Sequence, residues 1–515
     1  MADERETMIV IDCGSQYTQL IARRVREIGV YSEILPWDCS LEEILVKKPS
    51  GVIISGGPGT VLAGDSPTVP EGLLEGTVPV LGVCYGMQLV AKIMGGEVRK
   101  GEFAEYGRSR VMVDDRESAL LGGLPEGLDV WMSHWDYVES PPPGFRVTAR
   151  SESGMIAGFE SGDSRISAIQ FHPEVAHTAH GIDVLKNFVF RICGCGGSWN
   201  LEDWVQSSID GIRSRAVEGR VVCGLSGGVD STVAAVLTSR AIGDRLECIF
   251  VNNGLLRQGE AEQVMETYGS SLGLKVHYVD ASDDFLSALR GVTDPEVKRK
   301  VIGTTFIRVF ERKAKEIGGA SWLLQGTLYP DVIESGHKGK GAAVIKSHHN
   351  VGGLPEKMDF RVLEPLRDLF KDEVRKIGEM LGVPACILGR HPFPGPGLAV
   401  RCVGEITPER LETLRKADAI FISEILASGL YESMWQAFCV LLPVRTVGVM
   451  GDIRTYAEVI ALRAVESMDG MTADWVRLPG DLLDRTSRRI CNEVGGANRV
   501  VYDITGKPPA TIEWE

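Results

Sequence analysis

From Met8 to about Gly194 the chain repeats one pattern: a short β-branched run, a glycine-rich turn, then apolar positions at helical spacing. Met8–Ile11, Gly51–Ser55 and Val78–Val83 read as strands, which predicts an α/β layered domain. The stretch Cys193-Gly-Cys-Gly-Gly-Ser198 breaks both periods, and an amphipathic helix over Leu201–Val217 follows, so a boundary is expected at about residue 195. The same logic then restarts, with Arg220–Leu225 as strand, Ser226–Val229 as turn, Asp230–Arg240 as helix and Leu246–Val251 as strand. Three prolines in Arg390-His-Pro-Phe-Pro-Gly-Pro-Gly397 can neither continue a helix nor donate backbone hydrogen bonds, and they mark a second boundary. The last segment mixes a helix (Thr407–Leu426) with strands (Ala437–Val449 and Arg499–Ile504). The expectation is α/β, with two successive doubly wound parallel-sheet domains, 1–195 and 196–389, followed by a smaller α+β domain, 390–515.

Composition narrows the chemistry. With 515 residues the chain is too long for one hydrophobic core, and 44% hydrophobic with 24% charged residues is an ordinary folded composition. Sixty glycines without a Gly-X-Y period point to tight turns and backbone-lined anion sites. A net charge of −15 repels nucleic-acid backbones, so nucleic acid is not an expected partner and any bound phosphate needs a local pocket. Met1–Thr7 is acidic and lacks the features of an export signal, and no apolar run reaches membrane-spanning length. Eleven cysteines spread along so long a chain do not form a disulfide framework, so the expected setting is a reducing cytoplasm.

Two constellations carry the chemistry. In Val80-Leu-Gly-Val-Cys84-Tyr-Gly86-Met-Gln88, glycines two residues either side of the cysteine permit a sharp turn from strand to helix. That turn presents Cys84 at a helix N-terminus, where the backbone dipole favours a thiolate and nearby N–H groups can receive an oxyanion. Downstream, Ala168-Ile-Gln-Phe-His172-Pro-Glu174 places a histidine and a carboxylate at i and i+2, which on an extended strand share a face. A cysteine, a histidine and an orienting carboxylate form the triad arrangement for attack on an amide. Gly56-Gly-Pro-Gly59 can supply a second oxyanion donor.

The second constellation is Ser226-Gly-Gly-Val-Asp230-Ser231-Thr232, a strand–turn–helix on which N–H groups converge toward one anion. The lysine of a Walker loop is missing, which argues against γ-phosphoryl transfer. Asp230 beside phosphates makes sense as a contact for Mg²⁺. Two further polar, glycine-rich stretches, 325–335 and 345–356, read as active-site loops. His348 and His349 diverge on either regular element, and Cys193 and Cys195 lack a second cysteine pair, so neither favours a metal site.

The serine-glycine loop resembles those of ATP-pyrophosphatase families, and the whole chain from Met8 to Glu515 resembles the glutamine-hydrolysing GMP synthetase family. The resemblance also runs through Asn253-Gly-Leu-Leu-Arg257, Asp331-Val-Ile-Glu-Ser335, Lys346-Ser-His-His-Asn-Val-Gly-Gly353, Arg390 to Gly397 and Gly506 to Glu515. It implies a type 1 glutamine amidotransferase domain, an ATP-pyrophosphatase domain, and a C-terminal domain that dimerises and helps bind xanthosine monophosphate (XMP). Cys84 would be the nucleophile, His172 the base and Glu174 its partner, with Gly57, Gly59, Tyr85 and Gln88 around glutamine and its oxyanion. Ser226, Gly227, Gly228, Val229, Asp230, Ser231 and Thr232 would bind ATP with Mg²⁺. Arg299, Gln436, Lys507 and Glu513 would contact XMP, and Lys346 would neutralise departing pyrophosphate. A homodimer with glutamine, ATP and XMP as small-molecule partners is implied. An alternative is an amidotransferase acting on another adenylated acceptor, such as a carboxylate, and a further one is a nucleotide sensor without turnover. The family usually carries Asp where this chain has Asn252, and Gly where it has Trp135.

Overall fold

The computed structural model describes residues 5–336, 360–450, 452–467, 470 and 472–515. It divides into two compact units, Met1–Asn200 and Leu201–Glu515.

The first unit is built on a nine-stranded sheet. Its strands are β1 (Thr7–Asp12), β2 (Tyr31–Pro36), β3 (Gly51–Ile54), β4 (Val80–Val83), β5 (Glu97–Val113), β6 (Gly127–Ser140), β7 (Phe145–Ser151), β8 (Ile156–Ser161) and β9 (Ile166–Ile169), in the order β2-β1-β3-β4-β9-β8-β7-β5-β6. From β2 to β9 the pairing is parallel. The central strands β3, β4 and β9 are buried along their whole length because helices cover both faces of a parallel sheet, while the edge strand β2 alternates. From β9 to β6 the pairing is antiparallel. The first sheet is therefore parallel in one half only, and the long β5 and β6 strands are additions to the expected plan. Along β6, Leu128, Val130, Met132, His134, Asp136 and Val138 are buried while their neighbours are more exposed, the period-2 signature of a strand with one wet face. The core under the parallel half gathers Ile9, Ile11, Val52, Ile54, Val80 and Met87.

The segment leading out of this unit is fastened back onto it. Glu6 accepts hydrogen bonds from the N–H groups of Gly196 (2.7 Å), Gly197 (3.1 Å) and Ser198 (3.4 Å), which holds its carboxyl below the ordinary glutamate value. Trp199 N–H donates to Gly29 O at 2.7 Å, and its indole lies 5.0 Å from the Tyr31 ring. The unit accordingly ends at Asn200, five residues past the expected break.

The second unit holds a five-stranded parallel sheet of β10 (Arg220–Leu225), β11 (Leu246–Asn252), β12 (Val276–Asp280), β13 (Ala320–Leu324) and β14 (Arg361–Leu363), ordered β12-β11-β10-β13-β14. It also holds a sheet of β15 (Gln436–Met450), β16 (Ile453–Glu466), β17 (Asp474–Trp475) and β18 (Ala497–Tyr502). Helices Leu201–Arg215, Val229–Ile242 and Pro408–Ala427 fall within two residues of the expected spans at each end. One buried cluster runs from Val222 and Ile249 in the first of these sheets, through Leu398 and Leu414, to Ile460 and Ile490 beside the second. Among the described residues no helix is long and apolar enough to cross a membrane.

Candidate active sites

Cys84 sits at the junction of β4 and helix Tyr85–Ile93 with φ 55° and ψ −106°, a backbone conformation that L-residues rarely adopt. Its two glycine neighbours explain how the turn fits. A Cβ on Gly82 would lie 2.7 Å from Gly86 O, and one on Gly86 would lie 2.4 Å from Ile54 O. The Cys84 thiol faces Ser133 O at 3.6 Å.

His172 and Glu174 meet, but not as strand neighbours. β9 ends at Ile169, and the pair lies in the turn beyond it, where Pro173 bends the chain so that His172 Nδ1 reaches Glu174 Oε1 at 2.7 Å. Both are buried. Burial disfavours the imidazolium, but the charge of Glu174, then the charge and hydrogen bond of Cys84, outweigh it and hold His172 well above the ordinary histidine value. With the carboxylate on Nδ1, the other ring nitrogen is left to the sulfur, so the three residues form a nucleophile–base–orienter chain.

The loop after β3 walls the site. A Cβ on Gly56 would lie 3.2 Å from His172 Cε1, and one on Gly57 would lie 2.7 Å from Cys13 O and 3.3 Å from the Tyr85 ring. Gly59 has open space on its Cβ side. Tyr85 is committed to structure: its hydroxyl donates to Pro67 O at 2.6 Å, and burial pushes its phenol up to about 12. Gln88 is buried, its amide donating to Asp136 O (2.7 Å) and Gln170 Oε1 (3.3 Å). The Asp136 side chain in turn binds the Thr60 hydroxyl, tying β6 to the glycine loop. His134 and Asp136, polar residues at core-facing positions of an alternating strand, are site components that motif reading passed over. Trp135 between them is 47% exposed.

In the second unit, β10 runs into the serine-glycine loop and helix Val229–Ile242. Gly227 has φ +79°. Ser226 and Ser231 hydroxyls bond each other at 3.1 Å, and Gly228 N–H donates to Ser226 Oγ at 3.3 Å. The first-turn N–H groups of the helix have no partner within it, as at any helix N-terminus. Val229 and Thr232 are buried, and the Thr232 hydroxyl bonds Gly228 O (2.7 Å) and the Tyr268 hydroxyl (2.6 Å), so these two hold the loop from beneath. Asp230 Oδ2 pairs with Lys371 Nζ at 3.1 Å, while its Oδ1 is buried without a hydrogen-bond partner. One orphaned carboxylate oxygen beside a phosphate cradle fits Mg²⁺, which takes few protein ligands when it shares phosphates. Among the described residues no group of three or more His, Cys, Asp or Glu could hold a metal by itself. Arg390 donates to Gly227 O at 3.1 Å and pairs with Glu260, and a Cβ on Gly326 would lie 3.1 Å from Ser231 N. Lys371 and Arg390 are cations that the motif did not reveal.

Asn252 donates to the Tyr278 hydroxyl (3.0 Å) and accepts from Gly254 N–H (3.1 Å), using both halves of its amide. Gln436 donates to Glu513 Oε1 at 2.8 Å, and the fully buried Arg401 grips the same carboxylate at 2.9 and 3.1 Å. Arg299 donates to the main-chain oxygen of Glu515 at 2.6 Å, so it lies by the same tail. Lys507 is held differently: its Nζ donates to Gly470 O at 2.8 Å and its main chain pairs with Ala473. Lys346, His348, His349 and the rest of 345–356 lie outside the described residues.

Three family models match: glutamine amidotransferase class-I over residues 9–192, NAD synthase over 200–298, and the GMP synthase C terminal domain over 423–514. The chain is 57% identical over 512 residues to a glutamine-hydrolysing GMP synthase of Aquifex aeolicus, covering 99% of this chain and 100% of that one. It is 55% identical over 515 residues to the same enzyme of Symbiobacterium thermophilum, covering 100% of both. A solved structure of a GMP synthase subunit protein from Thermoplasma acidophilum aligns at 32% identity and TM-score 0.32, over 37% of this chain and 96% of its own. With identity to the two full-length enzymes this high along the whole chain, the protein belongs to the glutamine-hydrolysing GMP synthase family.

Proposed function

We propose that the chain makes GMP from XMP, ATP and glutamine, with amide hydrolysis in the first unit and adenylation in the second. The observation that carries this reading is the pairing of a Cys84–His172–Glu174 triad with an anion-binding Ser226 loop in one polypeptide. Glu174 fixes the imidazole so that His172 faces the Cys84 sulfur. The sulfur adds to the glutamine carbonyl, the oxyanion is received by N–H groups at the elbow and the Gly57 loop, and protonated His172 gives its proton to the departing ammonia. Water then releases glutamate from the thioester.

In the second unit Ser226, Gly227, Gly228 and Ser231 cradle ATP, Val229 and Thr232 supporting them from within. Asp230 would hold Mg²⁺, which when bound neutralises phosphate charge at the bond being cleaved. The purine C2 oxygen of XMP displaces pyrophosphate to become an adenylate, and ammonia displaces AMP to give GMP. Ammonia kept from bulk water escapes protonation and stays nucleophilic. Gln436, Glu513 and Arg299 around the last residues, together with Lys507, form the proposed XMP contacts.

The domain roles proposed are amidotransfer for the first unit, up to Asn200, adenylation from there to about residue 389, and XMP binding and dimerisation for 390–515. Val447, Val449 and Tyr456 share one face of the β15–β16 hairpin and are 51%, 70% and 61% exposed, an apolar strip that supports a homodimer. Free thiols at all eleven cysteines support a reducing, cytoplasmic setting. The test is GMP formation with each acceptor. Glutamine-driven synthesis should need XMP and be lost in Cys84→Ala, with the ammonia-driven reaction intact; loss of both reactions would overturn the two-site scheme.

A further inference from the structure

One helix, Thr18–Glu27, touches both members of the acid–base pair from outside every motif considered so far. Tyr17, at its N-cap, sets its ring 5.0 Å from the His172 imidazole, with the planes at 69°. Seven residues on, two turns along and therefore on the same face, Arg24 Nε donates to Glu174 O at 3.0 Å. Gly56 is a further wall, leaving 3.2 Å between its missing Cβ and His172 Cε1. The imidazole thus has its Nδ1 fixed by Glu174, and its rotation limited by an aromatic ring and a glycine backbone.

We propose that Tyr17 is a positioning residue for glutamine hydrolysis: its ring, set edge-to-face with the His172 imidazole, keeps that imidazole turned toward Cys84 and favours its protonated form, while Arg24 anchors the turn that carries His172 and Glu174. An edge-to-face contact restrains rotation, and a cation near an aromatic ring is stabilised by the ring quadrupole. The hydroxyl is not needed for either effect. The charged and titratable groups around His172 are Glu174 on its own turn, Cys84 from the β4 elbow, and the Tyr17 phenol and Arg24 from the helix. Arg24 is itself paired with Glu27 Oε2 at 2.6 Å, so its charge is met on its own helix. The inference rests on the reading of Cys84 and His172 as nucleophile and base.

The experiment uses the full chain and three variants: Tyr17→Leu, Tyr17→Met, an unbranched flexible side chain without a ring, and Tyr17→Phe. Glutamate release is measured from pH 6 to 10, with ammonia-driven GMP formation in parallel. For Tyr17→Leu and Tyr17→Met we expect kcat for glutamine hydrolysis to fall about 10- to 100-fold, as for a modest misplacement of a reacting group. The alkaline limb of kcat/KM should move about half a pH unit lower as the cation loses its ring. Glutamine KM and the ammonia-driven rate should stay within about twofold, and Tyr17→Phe should match the parent, because bulk and ring are retained. If Tyr17→Leu fails to fold, Tyr17→Met carries the test. An unmoved alkaline limb in the ring-less variants, or a Tyr17→Phe as impaired as they are, would overturn the inference. A parent chain that releases no glutamate at all would instead overturn the underlying reading.

Discussion

The backbone at Cys84 makes a prediction that separates stability from chemistry. Its φ of 55° and ψ of −106° lie outside the basins open to L-residues, at a cost toward the upper end of about 1–3 kcal/mol. Glycine is free of that cost. Comparing Cys84→Gly with Cys84→Ala removes about 3 kcal/mol of strain, offset by about 1 kcal/mol for the larger freedom of unfolded glycine and about 0.8 kcal/mol for one lost buried methyl. About 1 kcal/mol remains in favour of glycine. For a unit of 200 residues, that corresponds to a melting temperature about 2–4 °C higher for Cys84→Gly. Differential scanning calorimetry on the two variants, following the transition of the first unit, measures the difference. Both variants should release no glutamate and still use ammonia. An alanine variant as stable as the glycine variant would show that the elbow stores no strain, and the account of why Gly82 and Gly86 flank the nucleophile would lose its footing.

Other outcomes follow from the same geometry. In Glu174→Gln the alkaline limb of glutamine hydrolysis should shift to lower pH, because the carboxylate helps hold His172 above its ordinary value; a pH–rate profile checks this. In the parent the His172 contribution to stability is complete below the unfolded value near 6.5 and is lost as pH rises through the higher native value, so its margin over Glu174→Gln should narrow in alkali. Asp230→Asn should slow XMP-stimulated pyrophosphate release by about 100-fold or more, while iodoacetamide still alkylates Cys84 at the parent rate. Val449→Lys should abolish the proposed homodimer in sedimentation velocity, where the parent should run as a dimer, since it places a charge in the apolar strip of the β15–β16 hairpin.

Both strand-to-helix turns were legible because each is local: Gly82, Cys84 and Gly86 specify one within five residues, and Ser226 to Thr232 another within seven. Of the parallel half, β1, β3 and β4 were legible as apolar runs, whereas the edge strand β2, with Ser32 and Glu33 inside it, was not. β5 and β6 were not either; in β6 the apolar alternation is interrupted by His134 and Asp136, which occupy buried positions that an apolar pattern reserves for hydrophobic side chains. The His172–Glu174 pair was foreseen from i, i+2 spacing, yet the turn at Pro173, rather than strand geometry, brings them together. Partners distant in sequence left no local trace: Lys371 reaches Asp230 across 141 residues, and Arg24 reaches Glu174 across 150. Such contacts are decided by how layers stack, which periodicity within one element does not encode.

The carboxylate of Glu6, by claiming three successive amides at 196–198, assigns the exit segment to the amide-cleaving half. Anyone dividing this polypeptide into two separately expressed genes should therefore cut between Asn200 and Leu201. A cut at 195 would strip the front half of the segment that buttresses its N-terminal arm, and leave the rear half trailing a tryptophan whose aromatic neighbour has gone.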